Sequence, residues 1–507
     1  TSLSWWAHNV GRWSESNRTE IADLLFDVVK GLGLNVIRYN SGGQDDPSHD
    51  HMRVGGDIPS FRPLEDQPYD WSADPYQRAM LDLAIARGAN ILEAFSCSPP
   101  YWMTVSGCSA GAEDASRDNL KPTYYEAYAD YLVDIVQHFR KAWGIEFDTL
   151  APFNEPLTHY WKKDKPQQGC HYEVETQQKI LRLLGKKLTD RGLRTRLSAA
   201  DETCTEHCVL SFGKYADDVK DLVYQINTHT YNYSWDRRGP RHLADLHGKR
   251  LHMSEICFAS RVGEEGHNHE AIDGSLEQAA SITRDLREMR PEAWVFWQPV
   301  ENEQYCIWWK FNYGLIHADV MDGTEKWEFT KKYYGFAQYT RFIRPGHRMI
   351  GVEADDTIAF VDDRAGRLVI VTYNQGAESR ERSYDLGAFS STGAKAEVHR
   401  TSPGESLKLL PAVEIEHRRL GATESARSIT TYVVPGINYR GPSLPQIQWL
   451  NDTATGPGEN RMEYEGNWEY NNQQSGAFVS DNHWSPNTGD VCRIYFHGAG
   501  IKLYAAK

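Results

Sequence analysis

The chain has 507 residues, and its 55 Lys and Arg against 70 Asp and Glu give a net charge of −15. This length accommodates a large catalytic domain with smaller attachments, and 40% hydrophobic residues can build a sizeable core, which excludes a wholly disordered chain. No apolar run of about 18 residues is available to span a membrane, and the acidic balance argues against a nucleic-acid backbone as ligand.

In chain order, the sequence opens on Thr-Ser-Leu-Ser-Trp-Trp, with no initiator Met or apolar leader, so any secretion signal is expected to have been removed or left out. Ser2–Trp6 reads as a first strand, Ile21–Lys30 as a helix, Leu34–Tyr39 as a strand, Tyr76–Arg87 as a helix and Asn90–Phe95 as a strand. Tyr128, Leu132, Ile135, Val136 and Phe139 recur at helical spacing on one face. Phe147–Phe153, Arg196–Ala200, Leu222–Asn227, Arg250–Met253 and Ala293–Trp297 complete eight strand candidates. Strands alternating with helices predict an α/β fold, a (β/α)8 TIM barrel over residues 1–343. A doubly wound sheet is the competing arrangement, but no Gly-rich phosphate loop follows the first strand. Beyond Gly346, short runs such as Thr357–Val361, Arg367–Tyr373 and Ser428–Val434 predict an attached antiparallel β-sandwich over 344–440. A Pro- and Gly-rich linker follows over 441–458. Residues 459–507, ending on the strand-like Gly500–Tyr504, read as a β-rich carbohydrate-binding-like module too short to close, hence a truncated one.

Eight cysteines, at 97, 108, 170, 204, 208, 257, 306 and 492, show no paired C-x-x-C spacing, so no metal is expected. Cys204 and Cys208 are near enough to pair if the backbone turns. Asn17, Asn232 and Asn451 begin glycosylation sequons, and a secreted, extracellular monomer is expected.

Two glutamates close expected strands: Glu155 in Phe153-Asn-Glu-Pro156 and Glu255 in Met253-Ser-Glu255. A closed barrel brings strand ends around one mouth, and glycoside cleavage needs one carboxylic acid for the leaving oxygen and one carboxylate for the anomeric carbon. The alternative for any one Glu is a solvated surface charge. The Asn-Glu-Pro context after an apolar strand, matched by a second Glu, favours the catalytic reading.

Asn154-Glu155-Pro156 and Ser254-Glu255 resemble the acid/base and nucleophile segments of the retaining (β/α)8 glycosidase clan. Thr1–Ala7, Ile37–Gly43, Ser98–Met103 and Arg341–Gly346 resemble, in order, segments of glycoside hydrolase family 30, and the Trp5-Trp6 pair is most similar to its endo-β-1,6-galactanase-like members. The resemblance covers roughly residues 1–440. It implies Glu155 as acid/base and Glu255 as nucleophile, acting without a cofactor on the β-1,6-galactan side chains of arabinogalactan. It leaves β-1,6-glucanase, glucosylceramidase-like β-glucosidase and xylanase as alternatives within the family, and a silent carbohydrate-binding protein outside it. Family members begin with sandwich strands, so one or more of these are expected to be missing here. Ile256-Cys257 also stands where many members place an aromatic and a glycine.

The remaining candidates each have two readings. Asn154 either hydrogen-bonds the sugar 2-hydroxyl or is a strand-end structural amide. Arg38 either orients a catalytic carboxylate or forms a structural ion pair. His229 and Tyr231 contact Glu255 or the sugar, or belong to the core. Trp297 is placed to form a platform under the sugar, with Trp5, Trp6, Tyr101 and Trp102 as rim or floor and Trp308-Trp309 further out; core packing is the alternative for each. Asp45-Asp46 and Asp201-Glu202 read as solvated or polar-network carboxylates, with a calcium site as the lesser alternative. In the expected mechanism Glu255 attacks while Glu155, its pKa raised beside a second carboxylate, protonates the departing oxygen.

Overall fold

The computed structural model describes all residues except 233, 259, 262–267, 442–443, 445–449, 451, 459, 472–481 and 497–507. Seven parallel strands lie side by side in chain order: β1 (Val36–Asn40), β2 (Ile91–Phe95), β3 (Thr149–Ala151), β4 (Arg196–Glu202), β5 (Val223–His229), β6 (Arg250–Ile256) and β7 (Ala293–Phe296). The gap between β7 and β1 is filled by the first three residues. The Ser2 N–H donates to the Trp297 carbonyl at 3.2 Å, and the Leu3 N–H to the Arg38 carbonyl at 2.8 Å. The expected strand Ser2–Trp6 is therefore shorter than its apolar pattern suggests. Trp5 takes a left-handed backbone (φ 67°), and Trp6–Val10 turns into helix α1.

Helices α2 (Glu15–Phe26), α3 (Pro75–Ala86), α4 (Tyr125–Trp143), α5 (Val174–Asp190), α6 (Thr205–Lys214), α7 (Asp217–Leu222), α8 (Arg238–His247), α9 (Asp273–Arg284), α10 (Glu303–Trp309) and α11 (Lys331–Thr340) intervene or follow. The apolar stripe of α4 is buried as its spacing predicts, and the helix stops at Gly144, whose φ of 69° suits a residue without a side chain. Helix α2 starts earlier than the expected Ile21–Lys30, and it ends earlier because the Asp27 carboxylate accepts the N–H groups of Val29 and Lys30 at 2.8 Å each. Among the described residues no helix is long and apolar enough to cross a membrane.

An eight-stranded antiparallel sheet follows: β8 (Arg348–Ile350), β9 (Thr357–Asp362), β10 (Arg367–Asn374), β11 (Arg380–Asp385), β12 (Lys395–Ser402), β13 (Glu405–Glu416), β14 (Arg419–Glu424) and β15 (Ser428–Val434). The long β13 pairs with β12 along most of its length and with β14 near its end, so the sheet folds over itself. Period-2 alternation sorts β10: Leu368 and Ile370 join Tyr384, Leu420 and Tyr432 inside the sandwich, whereas Val369 and Val371 join the barrel core. The two bodies meet closely at Gly335 of α11, where a Cβ would lie 2.8 Å from the Ser275 side chain and 3.3 Å from Ile429.

Past residue 460 two short antiparallel pairs are present, Arg461–Glu465 with Val491–Tyr495 and Glu469–Asn471 with Asn482–Trp484. The predicted strand Gly500–Tyr504 and the sequon at Asn451 lie outside the described residues. Asn17 sits in α2 with its amide donating to Glu325 at 2.6 Å. All eight cysteines are thiols, and Cys204 and Cys208 flank the start of α6 without pairing.

Candidate active site

The barrel interior at its C-terminal end is polar, and strand register explains how. Parallel pairing sets Arg38, Glu93 and Thr149 abreast on β1, β2 and β3. The Arg38 Nε donates to Glu93 at 2.9 Å, and Glu93 also accepts from Thr149 at 2.8 Å, Ser198 at 2.7 Å and Asn227 at 2.9 Å. Glu93 is thus fully paired and serves as an anchor for Arg38. The rest of the guanidinium reaches further up the barrel, donating from Nη1 to Glu255 Oε2 at 3.2 Å and from Nη2 to Asp201. Its flat face lies 4.2 Å from the Phe95 ring centre.

Glu155 and Glu255 face each other above this layer. Glu255 is the penultimate residue of β6, and Glu155 lies in the loop that Pro152 forces after the short β3. Glu155 and Asp201 both hold left-handed backbones (φ 51° and 61°), and the Glu155 N–H donates to the Asp201 carbonyl at 2.8 Å. Such conformations cost about 1–3 kcal/mol each and persist only where surroundings enforce them. One oxygen of Glu155, one of Glu255 and a ring nitrogen of His229 all lie within 4.8 Å of one another.

His229, the last residue of β5, is fully buried between the carboxylates. Its Nδ1 donates to Glu155 Oε1 at 3.0 Å and lies 3.7 Å from Glu255, while Nε2 donates to Asp201 Oδ1 at 3.2 Å. Burial pushes its pKa down, but Glu255 and Asp201 outweigh burial and lift it to about 10. Both ring nitrogens of His229 thus face carboxylate oxygens. Asp201, against the upward push of burial, is held at about 2 by Arg38 and His229 and accepts from Ser254 at 2.6 Å. Burial raises Glu255 to about 7, with His229 and Arg38 working against it, and the Tyr231 hydroxyl donates to its Oε1 at 3.2 Å.

The expected carbohydrate-contacting residues divide. Arg38, Asn154, His229, Tyr231, Trp297 and Trp5 gather at the mouth. The side-chain carbonyl of Asn154 is buried without a partner. Trp297 packs with Phe95, Cys97 and Ala151, and Trp5 meets it edge-on with ring centres 5.1 Å apart. Trp6 does not reach the mouth: it is buried against Phe26, its indole donating to the Ser2 carbonyl at 2.8 Å. Trp102 donates to the Arg62 carbonyl at 3.1 Å and packs on Tyr124, beside half-buried Tyr101. Trp308 and Trp309 are exposed at the end of α10.

Asp45, Asp201 and Glu202 are buried, which selects the polar-network reading over the solvated one. Glu202 accepts from Ser211 and from the Leu157 N–H at 3.1 Å, and burial raises it to about 7. Four further residues carry the site. A charge inside the apolar run Ile91-Leu-Glu-Ala-Phe95 is a legible sign for Glu93. Tyr160, whose hydroxyl donates to Glu155 Oε2, Trp161, whose indole donates to the Glu155 carbonyl at 3.0 Å, and Arg53, stacked 4.3 Å from Trp5 and 4.5 Å from Tyr305, have no such sign. A separate cavity of about 330 Å³, lined by Leu188, Leu197, Val223 and Lys249, opens where β4 and β5 begin, at the end of the barrel away from these carboxylates.

An eight-position α/β barrel with two facing carboxyls at its C-terminal mouth and tryptophans beside them is the equipment of a glycoside hydrolase. The O-glycosyl hydrolase family 30 description matches residues 1–236. An endo-beta-1,6-galactanase of Hypocrea rufa is 30% identical over 465 residues, covering 86% of this chain and 91% of that protein. The chain belongs to glycoside hydrolase family 30. An exo-beta-1,6-galactobiohydrolase of Bifidobacterium longum subsp. longum is 27% identical, covering 77% of this chain and 34% of its own length. The catalytic domain of a family 30 xylanase C from Talaromyces cellulolyticus superposes with a TM-score of 0.64 at 18% identity, over 85% of this chain and 95% of that one.

Proposed function

We propose that the protein hydrolyses β-1,6-linked galactan with retention of configuration, Glu255 acting as nucleophile and Glu155 as acid/base. The closeness of the two carboxyls supports this mechanism: an oxygen of each lies within 4.8 Å of the other, the short-range arrangement of a nucleophile and its acid/base rather than the wide one of an inverting pair. Arg38 and Tyr231 hold Glu255 for attack, and the reaction then needs a proton on Glu155 for the departing oxygen. After the glycosyl–Glu255 ester forms, Glu155 takes a proton from water and the water oxygen displaces Glu255, restoring the enzyme. His229, in contact with Glu155 and Asp201 and close to Glu255, offsets the charge that moves between the two carboxyls. The unpartnered Asn154 carbonyl is available to a sugar hydroxyl, an interaction that strengthens in the transition state, and Trp297 with Trp5 forms the apolar floor.

The substrate rests on the two relatives named for β-1,6-galactan; the fold shared with the xylanase says nothing about the sugar. Such a substrate would be met outside the cell. Digestion of β-1,6-galactan, de-arabinosylated arabinogalactan, β-1,6-glucan and glucuronoxylan tests it. A ladder of β-1,6-galactooligosaccharides is expected, and release of glucose or xylose oligomers alone would overturn the assignment.

A further inference from the structure

Away from the carboxylate pair, loops following the first two barrel strands bring together four side chains that the reaction does not use. Asp45 and Cys108 are buried, and His49 and His51 half-buried. The Asp45 Oδ2 lies 3.0 Å from His49 Nδ1 and 2.9 Å from His51 Nε2. The Cys108 sulfur lies 3.6 Å from both Asp45 Oδ2 and His51 Nε2. All four donor atoms are within 4.8 Å of one another.

We propose that Asp45, His49, His51 and Cys108 form a four-coordinate zinc site that staples the loops after the first two barrel strands. Geometry supplies the first reason. A tetrahedral zinc with bonds of about 2.3 Å to sulfur and about 2.0–2.1 Å to nitrogen and oxygen sets sulfur-to-nitrogen and sulfur-to-oxygen edges at about 3.5–3.6 Å. Two of the three sulfur edges, to Asp45 and His51, already have that length, and the third, to His49, lies within 4.8 Å. The nitrogen-to-oxygen edges need to open by only a few tenths of an ångström.

The second reason is hydrogen-bond accounting. The His51 Nδ1–H donates to the Lys165 carbonyl at 2.7 Å, which in neutral imidazole leaves the Nε2 lone pair aimed at the carboxylate oxygen of Asp45. Two facing lone pairs require a cation between them. A proton serves only that one axis, whereas a metal ion serves all four donors. The other Asp45 oxygen accepts the Ser109 N–H at 2.7 Å, leaving Oδ2 for a monodentate bond. Both outer bonds are the kind that orient first ligands in zinc proteins. One thiolate and one carboxylate also neutralise a divalent charge, and mixed N, S and O donors suit zinc better than calcium or magnesium.

Cysteine spacing cannot reveal such a set, because His49-x-His51 and Cys108 come from different loops. The site also joins a third loop. Gly169 donates to Ser109 at 2.9 Å and Ala112 to Trp161 at 3.2 Å, so the staple supports the segment whose Trp161 indole holds the Glu155 backbone.

The test uses the full chain after chelator dialysis, titrated with Co²⁺ and with Zn²⁺. Expected are one equivalent of Co²⁺ with a thiolate-to-cobalt charge-transfer band in the near ultraviolet, and a higher Tm with Zn²⁺. Cys108→Ser should abolish the band, and His51→Gln should abolish the Tm gain. Should one variant fail to fold, the other decides the matter. Absence of the thiolate band in the parent, its survival in Cys108→Ser, or a Tm indifferent to Zn²⁺ overturns the site. None of these readouts depends on the galactan assignment.

Discussion

Replacing Arg38 by Met tests the electrostatics of the proposed site. Its guanidinium touches three buried carboxylates, Glu93 at 2.9 Å, Glu255 at 3.2 Å and Asp201 more closely still. Methionine fills much of the same volume but leaves those carboxylates without their cation. Removing one partner of a buried ion pair costs about 3–5 kcal/mol, and at 1.36 kcal/mol per pKa unit the protein can relieve that strain by binding a proton about 2–4 units more tightly. Glu255, already raised to about 7 by burial against the pull of His229 and Arg38, is the carboxyl poised to take it. The acidic limb of kcat/KM should therefore move to higher pH in Arg38→Met, with activity at pH 6 falling by at least about 100-fold. Arg38→Lys, which keeps the charge but loses the fork, should fall between parent and Met. The assay is kcat/KM for an aryl β-galactoside across pH 4–9, with folding followed by circular dichroism. A folded Arg38→Met whose acidic limb coincides with that of the parent would refute the claim that Arg38 holds Glu255.

Three further outcomes are expected. Glu155→Ala should lose most activity on galactan yet retain turnover of substrates with activated leaving groups, because these depart without a proton; equal losses on both classes would remove Glu155 as the acid. Trp297→Ala should lower kcat/KM by about 5–30-fold, corresponding to about 1–2 kcal/mol of lost ring contact, with the pH profile unmoved. Glu202 is raised from 4.5 to about 7 by burial, so the folded protein keeps a proton that the unfolded chain releases, and this contribution to stability declines from pH 4.5 to about 7 and then levels off. In Glu202→Gln that part of the Tm decline should vanish, and a parent Tm flat across the window would contradict it.

The barrel is legible in the sequence because apolar strand runs and the stripe of α4 are local patterns that burial enforces directly. Glu155 and Glu255 are legible for a related reason, since each directly follows or ends such a run. Strand ends are not: Ser2–Trp6 stops at Leu3 because Trp5 adopts a left-handed backbone that its identity does not announce. For Asp201 the sequence leaves open whether it is solvated or part of a polar network, because its burial depends on partners more than 20 residues away, Arg38, His229 and Ser254. Tyr160 and Arg53 reach the mouth on loops, where no periodicity constrains side-chain direction. The tryptophans show the limit of composition: Trp297 faces the mouth and Trp6 the core, although both border the barrel's closing seam.

Trapping the covalent intermediate tests the account most directly. The parent enzyme, incubated with a 2-deoxy-2-fluoro-β-galactoside carrying an activated leaving group, should gain one fluorosugar mass. After proteolysis the label should sit on the peptide containing Glu255, and the first product released from galactan should be the β-anomer. A label on another residue, or initial release of the α-anomer, would contradict it.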